Sequence, residues 1–169
     1  MQISIKGFVK NLCVIFLLLT MLNVSAQKKI TVDAGIDNSL PLGKFHDYYT
    51  YGIGIGADVN YKVISKASIY FSVAYMKYKL NVSYLDIKGA EAFAPMLLGG
   101  KVFLPENFYA LAGGGINLDL GNVITVYSVY QVGLGRFFFK KIAAELKYER
   151  TGKYDFTPNV LKLRVAYIF

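Results

Sequence analysis

The chain has almost no cysteine and almost no histidine. Its 169 residues contain one cysteine, Cys13, which lies in the N-terminal region, and one histidine, His46. A chain with no thiol after residue 26 can form no disulfide there and offers no cysteine to a metal or to a covalent mechanism. These absences exclude disulfide-stabilised folds and cysteine-dependent enzymes. They also predict that no metal or other cofactor is bound.

Long apolar segments are absent after the first 26 residues. Before that point, two lysines precede an apolar run at residues 12–22, and Val24-Ser25-Ala26 supplies the small residues of a cleavage site before Gln27. The run is shorter than the roughly 20 residues that a spanning helix needs. We therefore expect residues 1–26 to be a cleaved secretory signal peptide.

The remaining chain is rich in apolar residues that never form a helical span. Hydrophobic residues make up 54% of the sequence, yet after residue 26 they are interleaved with glycine, serine, threonine, asparagine and charge. Backbone groups in lipid must be hydrogen-bonded within the protein, so a membrane protein without apolar helices must be a closed β-barrel. This composition predicts a single outer-membrane β-barrel domain over residues 27–169.

Apolar residues recur at every second position, which is the period of a strand. In residues 161–169, Leu163 and Val165 share one face while Lys162 and Arg164 share the other. The same period predicts eight strands, at about residues 30–37, 49–61, 67–80, 90–104, 108–118, 123–137, 141–151 and 161–169. The predicted fold is all-β, an eight-stranded antiparallel up-and-down transmembrane barrel.

Strand connections alternate between short and long, as they do in outer-membrane barrels. Residues 63–66, 105–106 and 138–140 are short turns, whereas residues 38–47, 81–89 and 152–158 are longer and more polar. An even number of strands returns both chain ends to one side, and we assign that side to the periplasm. The connection near Gly121 is an exception, because it is short although it lies at the end of the barrel that carries the longer loops.

Charged residues fall on the face assigned to the lumen. Glu145 and Glu149 lie on the seventh strand, and Asp33 and Asp37 lie on the first, on either side of Lys162 and Arg164 if the sheet closes. Buried charges must be paired, because an unpaired one costs several kcal/mol. We therefore predict that the two cations form ion pairs with the flanking acidic strands and fix the closing register.

Glycines at positions 52, 54 and 56 resemble a nucleotide-binding loop only superficially. The spacing fails because position 57 is alanine, and no strand-to-helix transition follows. A period of two places all three on the lumen face of one strand, where small residues make room for larger side chains from across a narrow barrel.

Several segments resemble a known family. These are Ala94-Pro95-Met96-Leu97-Leu98, residues 107–113, Glu145-Leu146-Lys147-Tyr148, Tyr167-Ile168-Phe169 and the signal ending in Ser25-Ala26-Gln27. They are similar to the small outer-membrane β-barrel domain family, related to OmpA- and OmpX-like barrels, of Bacteroidetes type. Lys147 departs from the arginine often found there. The resemblance implies assembly by the outer-membrane barrel machinery, which recognises a last strand ending in an aromatic, here Phe169.

The expected function is a structural or surface-interaction role without catalysis. One alternative is an enzyme that modifies lipid A, with His46 acting beside Asp47 and a serine such as Ser83. A second is a narrow small-solute channel, although eight strands leave an interior just wide enough for side chains. A third is a soluble barrel of lipocalin type, with an apolar inside and a polar outside.

The expected partners follow from location in the bacterial outer membrane. They are outer-membrane lipid and lipopolysaccharide, together with the barrel assembly machinery. The formal net charge is +8, but the cations are dispersed singly along the strands and form no patch, so nucleic acid is not an expected partner. We expect the protein to be a monomer.

Overall fold

The computed structural model describes residues 29–81, 90–121, 124–139, 141–152 and 158–169, so the predicted signal peptide lies outside the described residues. Their elements are β1 Ile30–Leu42, α1 Lys44–Tyr48, β2 Tyr49–Ile64, β3 Ala67–Leu80, β4 Ala90–Phe103, β5 Phe108–Asp119, β6 Thr125–Phe138, β7 Ile142–Gly152 and β8 Asn159–Ile168. Among the residues described, no helix has the length and apolar character that crossing a membrane would require.

The strands form one closed antiparallel sheet. Each strand pairs with its neighbours in the sequence, and β1 also pairs with β8, which confirms the predicted up-and-down barrel. Closure sets Asp37 opposite Arg164 and Ser39 opposite Lys162 on the first and last strands. On the other side of β8, Arg164 lies opposite Glu145. The predicted pairing of the last strand with both the first and the seventh is therefore confirmed.

The barrel is apolar outside and polar inside. Ile55 and Leu98 on the outer surface are 66% and 64% exposed, whereas Asp37 and Arg164 in the lumen are each 1% exposed. On β4, Lys101 points inward and Leu98 outward, which is the facing that we predict from the sequence by turning Lys101 towards the lumen. It also contradicts the lipocalin alternative, because the charge lies inside and the large apolar side chains lie outside.

The first strand is longer than predicted. Residues 38–42 were expected to be a loop, but they continue β1 and pair with β8 as far as Leu42 opposite Asn159. The β1–β2 ladder ends earlier, at Ser39 opposite Gly52. Because Pro41 lies beyond that last pair, its missing N–H breaks no hydrogen bond with β2. Proline was thus a misleading loop signal here.

Tyr49 faces the lumen, although the period of two along β2 predicts that it shares the lipid-facing side with Tyr51. In the β2–β3 ladder Tyr49 lies opposite Leu80 and Tyr51 opposite Lys79, so Thr50 is an extra residue without a partner. Such a bulge reverses the facing of the residues before it. The aromatic side chain of Tyr49 is therefore buried inside the barrel, while Tyr51 is exposed outside.

The two ends of the barrel differ. The terminal end carries both ends of the described barrel, the two-residue turn at 65–66, the short turn Pro105–Asn107 and the β6–β7 turn. The loop end carries α1 and the remaining connections, of which residues 82–89, 122–123 and 153–157 lie outside the described part of the chain. Short turns are present where they were predicted, but the one predicted at residues 63–66 is confined to 65–66 because β2 continues to Ile64, and the one predicted at 105–106 extends to Asn107.

Three inward glycines lie against large side chains, but the rings come from the paired residue of the neighbouring strand and not, as predicted, from across the lumen. A Cβ atom on Gly52 would lie 2.5 Å from the ring of Tyr78, and one on Gly135 would lie 2.3 Å from the ring of Tyr109. On β4, a Cβ atom on Gly99 would lie 2.5 Å from the hydroxyl of Tyr70. Real Cβ atoms do not approach other atoms this closely. Glycine at these positions therefore lets the tyrosines fill the lumen.

We expect Gly99→Ala to destabilise the barrel by about 1–3 kcal/mol, because the added methyl group overpacks the lumen. It would meet the carbonyl oxygen of Ala112 at 2.3 Å as well as Tyr70. The matched control is Gly100→Ala on the outer surface, where the nearest atom lies at 3.8 Å. Urea unfolding in lipid vesicles measures both free energies, and equal values for the two variants would contradict the proposed packing.

Candidate functional site

The barrel lumen is the candidate site, and ion pairs occupy its middle. The pairs of the described residues involve Asp33, Asp37, Asp58, Glu145, Glu149, Lys101, Lys147, Lys162 and Arg164. Side-chain exposure does not exceed 9% for any of them. Because these charges are almost completely removed from water, their mutual pairing is what makes their burial tolerable.

Arg164 joins the last strand to the first two. Its guanidinium donates to Asp58 at 2.9 Å and to Asp33 at 3.2 Å. The prediction that Arg164 pairs with the acidic residues of β1 is confirmed for Asp33, whereas Asp37 forms its ion pair with Lys147, at 3.9 Å. Asp58 on β2 was not among the predicted partners, although the alternation of β2 had already placed it inward.

Lys101 bridges opposite walls of the barrel. Its ammonium lies 3.2 Å from Glu145 on β7 and 3.3 Å from Asp58 on β2, and these strands are not neighbours of β4. The hydroxyl of Tyr109 also donates to Glu145, at 2.8 Å. Contacts across the lumen do not follow from strand pairing, so the sequence predicted the facing of Lys101 but not its partners.

A second group of ion pairs lies nearer the loop end. Lys162 donates to Glu149 at 2.7 Å, as the prediction for the β7 acids required. Lys147 lies 3.0 Å from Glu145 and 3.9 Å from Asp37. Together the two groups link β1, β2, β4, β7 and β8 through side chains, in addition to the backbone ladder.

Aromatic rings close the loop end from inside. Phe45 reaches in from α1, and its ring centroid lies 4.5 Å from that of Tyr49, 5.3 Å from that of Tyr78 and 6.5 Å from that of Phe93. The hydroxyl of Tyr49 donates to the carboxylate of Glu91. We call Phe45, Tyr49, Tyr78 and Phe93 the aromatic plug. The plug was missed because Phe45 lies in a segment predicted to be a polar loop.

The opposite, terminal end of the lumen is hollow. A cavity of about 640 Å³ opens there, and Asp33 and Lys101 of the ion-pair network lie in its lining. We call this cavity the vestibule. The described lumen therefore has three levels: the aromatic plug at the loop end, packed ion pairs in the middle and the vestibule at the terminal end.

The predicted enzymatic residues do not come together in the described structure. His46 and Asp47 are exposed on α1, on the outside of the loop end, while Phe45 beside them is buried. Ser83, the suggested partner, lies outside the described residues. Within the described ranges, no group of three or more His, Cys, Asp or Glu side chains is arranged to hold a metal ion. The lipid A enzyme alternative gains no support from this geometry.

Comparison with solved structures finds small outer-membrane barrels. The crystal structure of the attachment invasion locus protein Ail of Yersinia pestis is 16% identical, with a TM-score of 0.61 over 83% of this chain and 98% of Ail. Ail in a phospholipid bilayer nanodisc gives 14% identity and a TM-score of 0.62, over 83% and 99% of the two chains. The N-terminal barrel of Pseudomonas aeruginosa OprF gives 10% and 0.58, over 82% and 97%.

The chain has the fold of a small outer-membrane β-barrel. No family model and no curated protein matches its sequence. The solved structures therefore support the predicted barrel fold, whereas the family assignment, both OmpA- and OmpX-like and of Bacteroidetes type, stays a prediction.

We expect Arg164→Met to lower the free energy of unfolding by about 3–5 kcal/mol, because Asp33 and Asp58 lose the guanidinium and are left sharing Lys101, at 3.9 and 3.3 Å. Adding Asp58→Asn should restore part of that loss, since it removes one of the carboxylates that then compete for Lys101. Urea titration in lipid vesicles measures both effects.

Lys141→Met is the control, because that exposed lysine contacts the hydroxyl of Tyr167 outside the lumen. Its change should stay within about 0.5 kcal/mol. Equal losses for Arg164→Met and Lys141→Met would contradict a central role for the lumen pairs.

Proposed function

We propose that the protein is a non-conducting structural barrel of the bacterial outer membrane whose contacts are made with lipid and at the cell surface. The observation that carries this proposal is that the barrel combines a packed, charged lumen with an apolar outer wall. The signal peptide at residues 1–26, a monomeric state and delivery to the barrel assembly machinery through the strand ending in Phe169 belong to the same proposal.

The charges on the outer wall support a specific kind of lipid contact. In the described strands the carboxylates share the inward-facing positions, whereas the cations on outward-facing positions have no acidic neighbour on that face. Those outward cations are Lys77, Lys79, Arg136 and Arg150. An outer wall with cations and no carboxylates suits anionic headgroups, each cation near such a surface contributing about 1 kcal/mol.

Most of these cations lie towards the loop end. Lys77 and Lys79 are near the end of β3, with the ammonium of Lys79 5.8 Å from the ring centroid of Tyr51, and Arg150 is near the end of β7. With the terminal end in the periplasm, the loop end faces the outer leaflet, where lipid A carries its phosphates. This placement favours lipopolysaccharide as the lipid partner.

A matched pair of variants tests the lipid contact in nanodiscs of neutral phosphatidylcholine with or without lipopolysaccharide. We expect lipopolysaccharide to stabilise the wild-type barrel, and Lys77→Gln/Lys79→Gln to remove about 2 kcal/mol of that gain. Arg136→Gln, at the terminal end, should keep the gain. Chemical unfolding in each nanodisc measures the stabilisation. A gain of the same size in all three proteins would contradict the proposed contact.

The channel alternative makes a different prediction for conductance. The wild-type barrel should give no current steps in planar bilayers, because ion pairs fill its middle and the aromatic plug closes one end. Phe45→Ala should also give none, since the ion pairs still block the lumen after the plug is weakened. Unitary currents from the folded wild-type protein would show that the channel alternative is correct.

A further inference from the structure

The vestibule has a polar half and an apolar half. The polar half comes from β1, β2 and the start of β3, and the apolar half is formed by Phe103, Leu104, Phe137 and Ile168. Leu104 is 43% exposed and the other three are half-buried, so the cavity is in contact with apolar surface that no side chain covers. Its volume of about 640 Å³ is in the range of sites that hold small molecules.

Two lysines lie directly opposite each other at the rim of the polar half. The backbone N–H of Lys62 donates to the carbonyl oxygen of Lys29 at 2.7 Å, which continues the β1–β2 ladder by one pair. Lys62 is also opposite the buried Ser68 on β3, and Lys29 is four residues before the inward Asp33, so both lysines fall on the lumen face. Both are exposed and both belong to the vestibule lining. Two ammonium groups therefore share one mouth of the barrel.

These two lysines have no acidic partner within the described part of the chain. Neither of them forms an ion pair there, and the inward acid of β1 nearest to them, Asp33, is engaged by Arg164 at 3.2 Å. Like charges directly opposite each other on paired strands are destabilising. An anion between the two ammonium groups would turn this repulsion into attraction.

The charges of the lining call for one negative charge. Asp33 and Lys101 belong to the ion-pair network in the middle of the lumen. The charged lining residues outside that network are Lys29, Lys62 and Glu106, two cations and one carboxylate. Glu106 is in the β4–β5 turn, separated from the lysines by β3 and β4. A monoanion therefore balances the mouth, and an apolar body on that anion would cover the apolar half.

We propose that the vestibule binds a short-chain carboxylate, with the carboxylate held between Lys29 and Lys62 and the hydrocarbon chain against the apolar half. The ligand enters from the terminal end, because the ion pairs and the aromatic plug fill the rest of the described lumen. Binding removes the repulsion between the two lysines and takes apolar side chains out of water. This site is separate from the lipid contacts of the outer wall, so either proposal can fail without the other.

The test uses the barrel beginning at Gln27 in phosphatidylcholine nanodiscs, with hexanoate as the probe and NMR of the Leu104 methyl groups as the readout. Hexanoate should shift these signals saturably. Lys29→Gln/Lys62→Gln should weaken binding about tenfold, since each exposed ion pair contributes up to about fivefold. Lys66→Gln is the matched control, because that exposed lysine of the neighbouring turn is not part of the lining, and it should leave binding unchanged.

Two further probes separate the charge of the ligand from its chain. Hexanol keeps the chain without the charge, and acetate keeps the charge without the chain. Each should bind at least about tenfold more weakly than hexanoate. The methyl groups of Leu98, which lie on the outer wall, detect hexanoate that dissolves in the bilayer. Their signals should show no saturable shift.

Unfolding in urea without ligand tests the premise that the two lysines repel each other. Lys29→Gln/Lys62→Gln should be at least as stable as the wild type, because the change removes repulsion and breaks no ion pair. A less stable variant would show that the lysines are already paired, and it would overturn the proposal. The absence of a Leu104 shift at about 20 mM hexanoate would overturn it as well. So would equal binding of hexanol, or equal effects of Lys66→Gln and the double variant.

Discussion

The structure depends on the burial of paired charge inside a closed sheet. Lipid disfavours polar groups on most of the outer wall, so the carboxylates of the described strands all turn towards a narrow lumen. There, Arg164 lies between Asp33 and Asp58, and Lys101 joins Asp58 to Glu145 across the barrel. Removing water from these charges is unfavourable, and ion pairing offsets that cost. Because the pairs share members, such as Asp58 between Arg164 and Lys101, each pair also stabilises the next one. The glycines on the lumen face follow from the same constraint, because so narrow an interior cannot hold a side chain at every inward position.

The inside of the barrel is graded from end to end. Aromatic rings fill the loop end, charges fill the middle, and the terminal end is left open with one polar and one aromatic half. A channel would need a continuous wet path between the two ends, and the middle level of the described lumen is filled by paired side chains. The gradient therefore blocks the described lumen at its middle and leaves a cavity at its terminal end.

Most of the fold could be predicted from the sequence, because a barrel in lipid obeys one simple rule. Residues two apart share a face, so the inward placement of Lys162, Arg164 and the acids of β1 and β7 followed from the pattern alone. The pairing of the last strand with the first then followed from closure of the sheet. The prediction failed where the rule is interrupted. The extra residue Thr50 turned Tyr49 inward, and Pro41 looked like a loop residue although β1 continues through it.

The site was less predictable than the fold. The partners of Lys101 lie on strands that it does not pair with, and strand tilt and barrel width decide which side chains meet across the lumen. Phe45 belongs to a helix of five residues, too short to show a periodic pattern. The vestibule depends on which inward residues surround one mouth, so it could be recognised only once the strands were placed side by side.

The position of Arg164 also bears on how the chain folds. Its partner Asp33 is 131 residues away in sequence, on the first strand of the chain. A growing hairpin array could form β1 to β7 by local steps, yet the carboxylates of β1 and β2 would lack their arginine until β8 docks. Contacts between residues so distant in sequence form slowly, because the chain loses the entropy of closing a long loop before the contact contributes any stabilising energy. Insertion of the last strand is thus the step at which charge is neutralised and the ladder is completed together, which makes barrel closure a cooperative event.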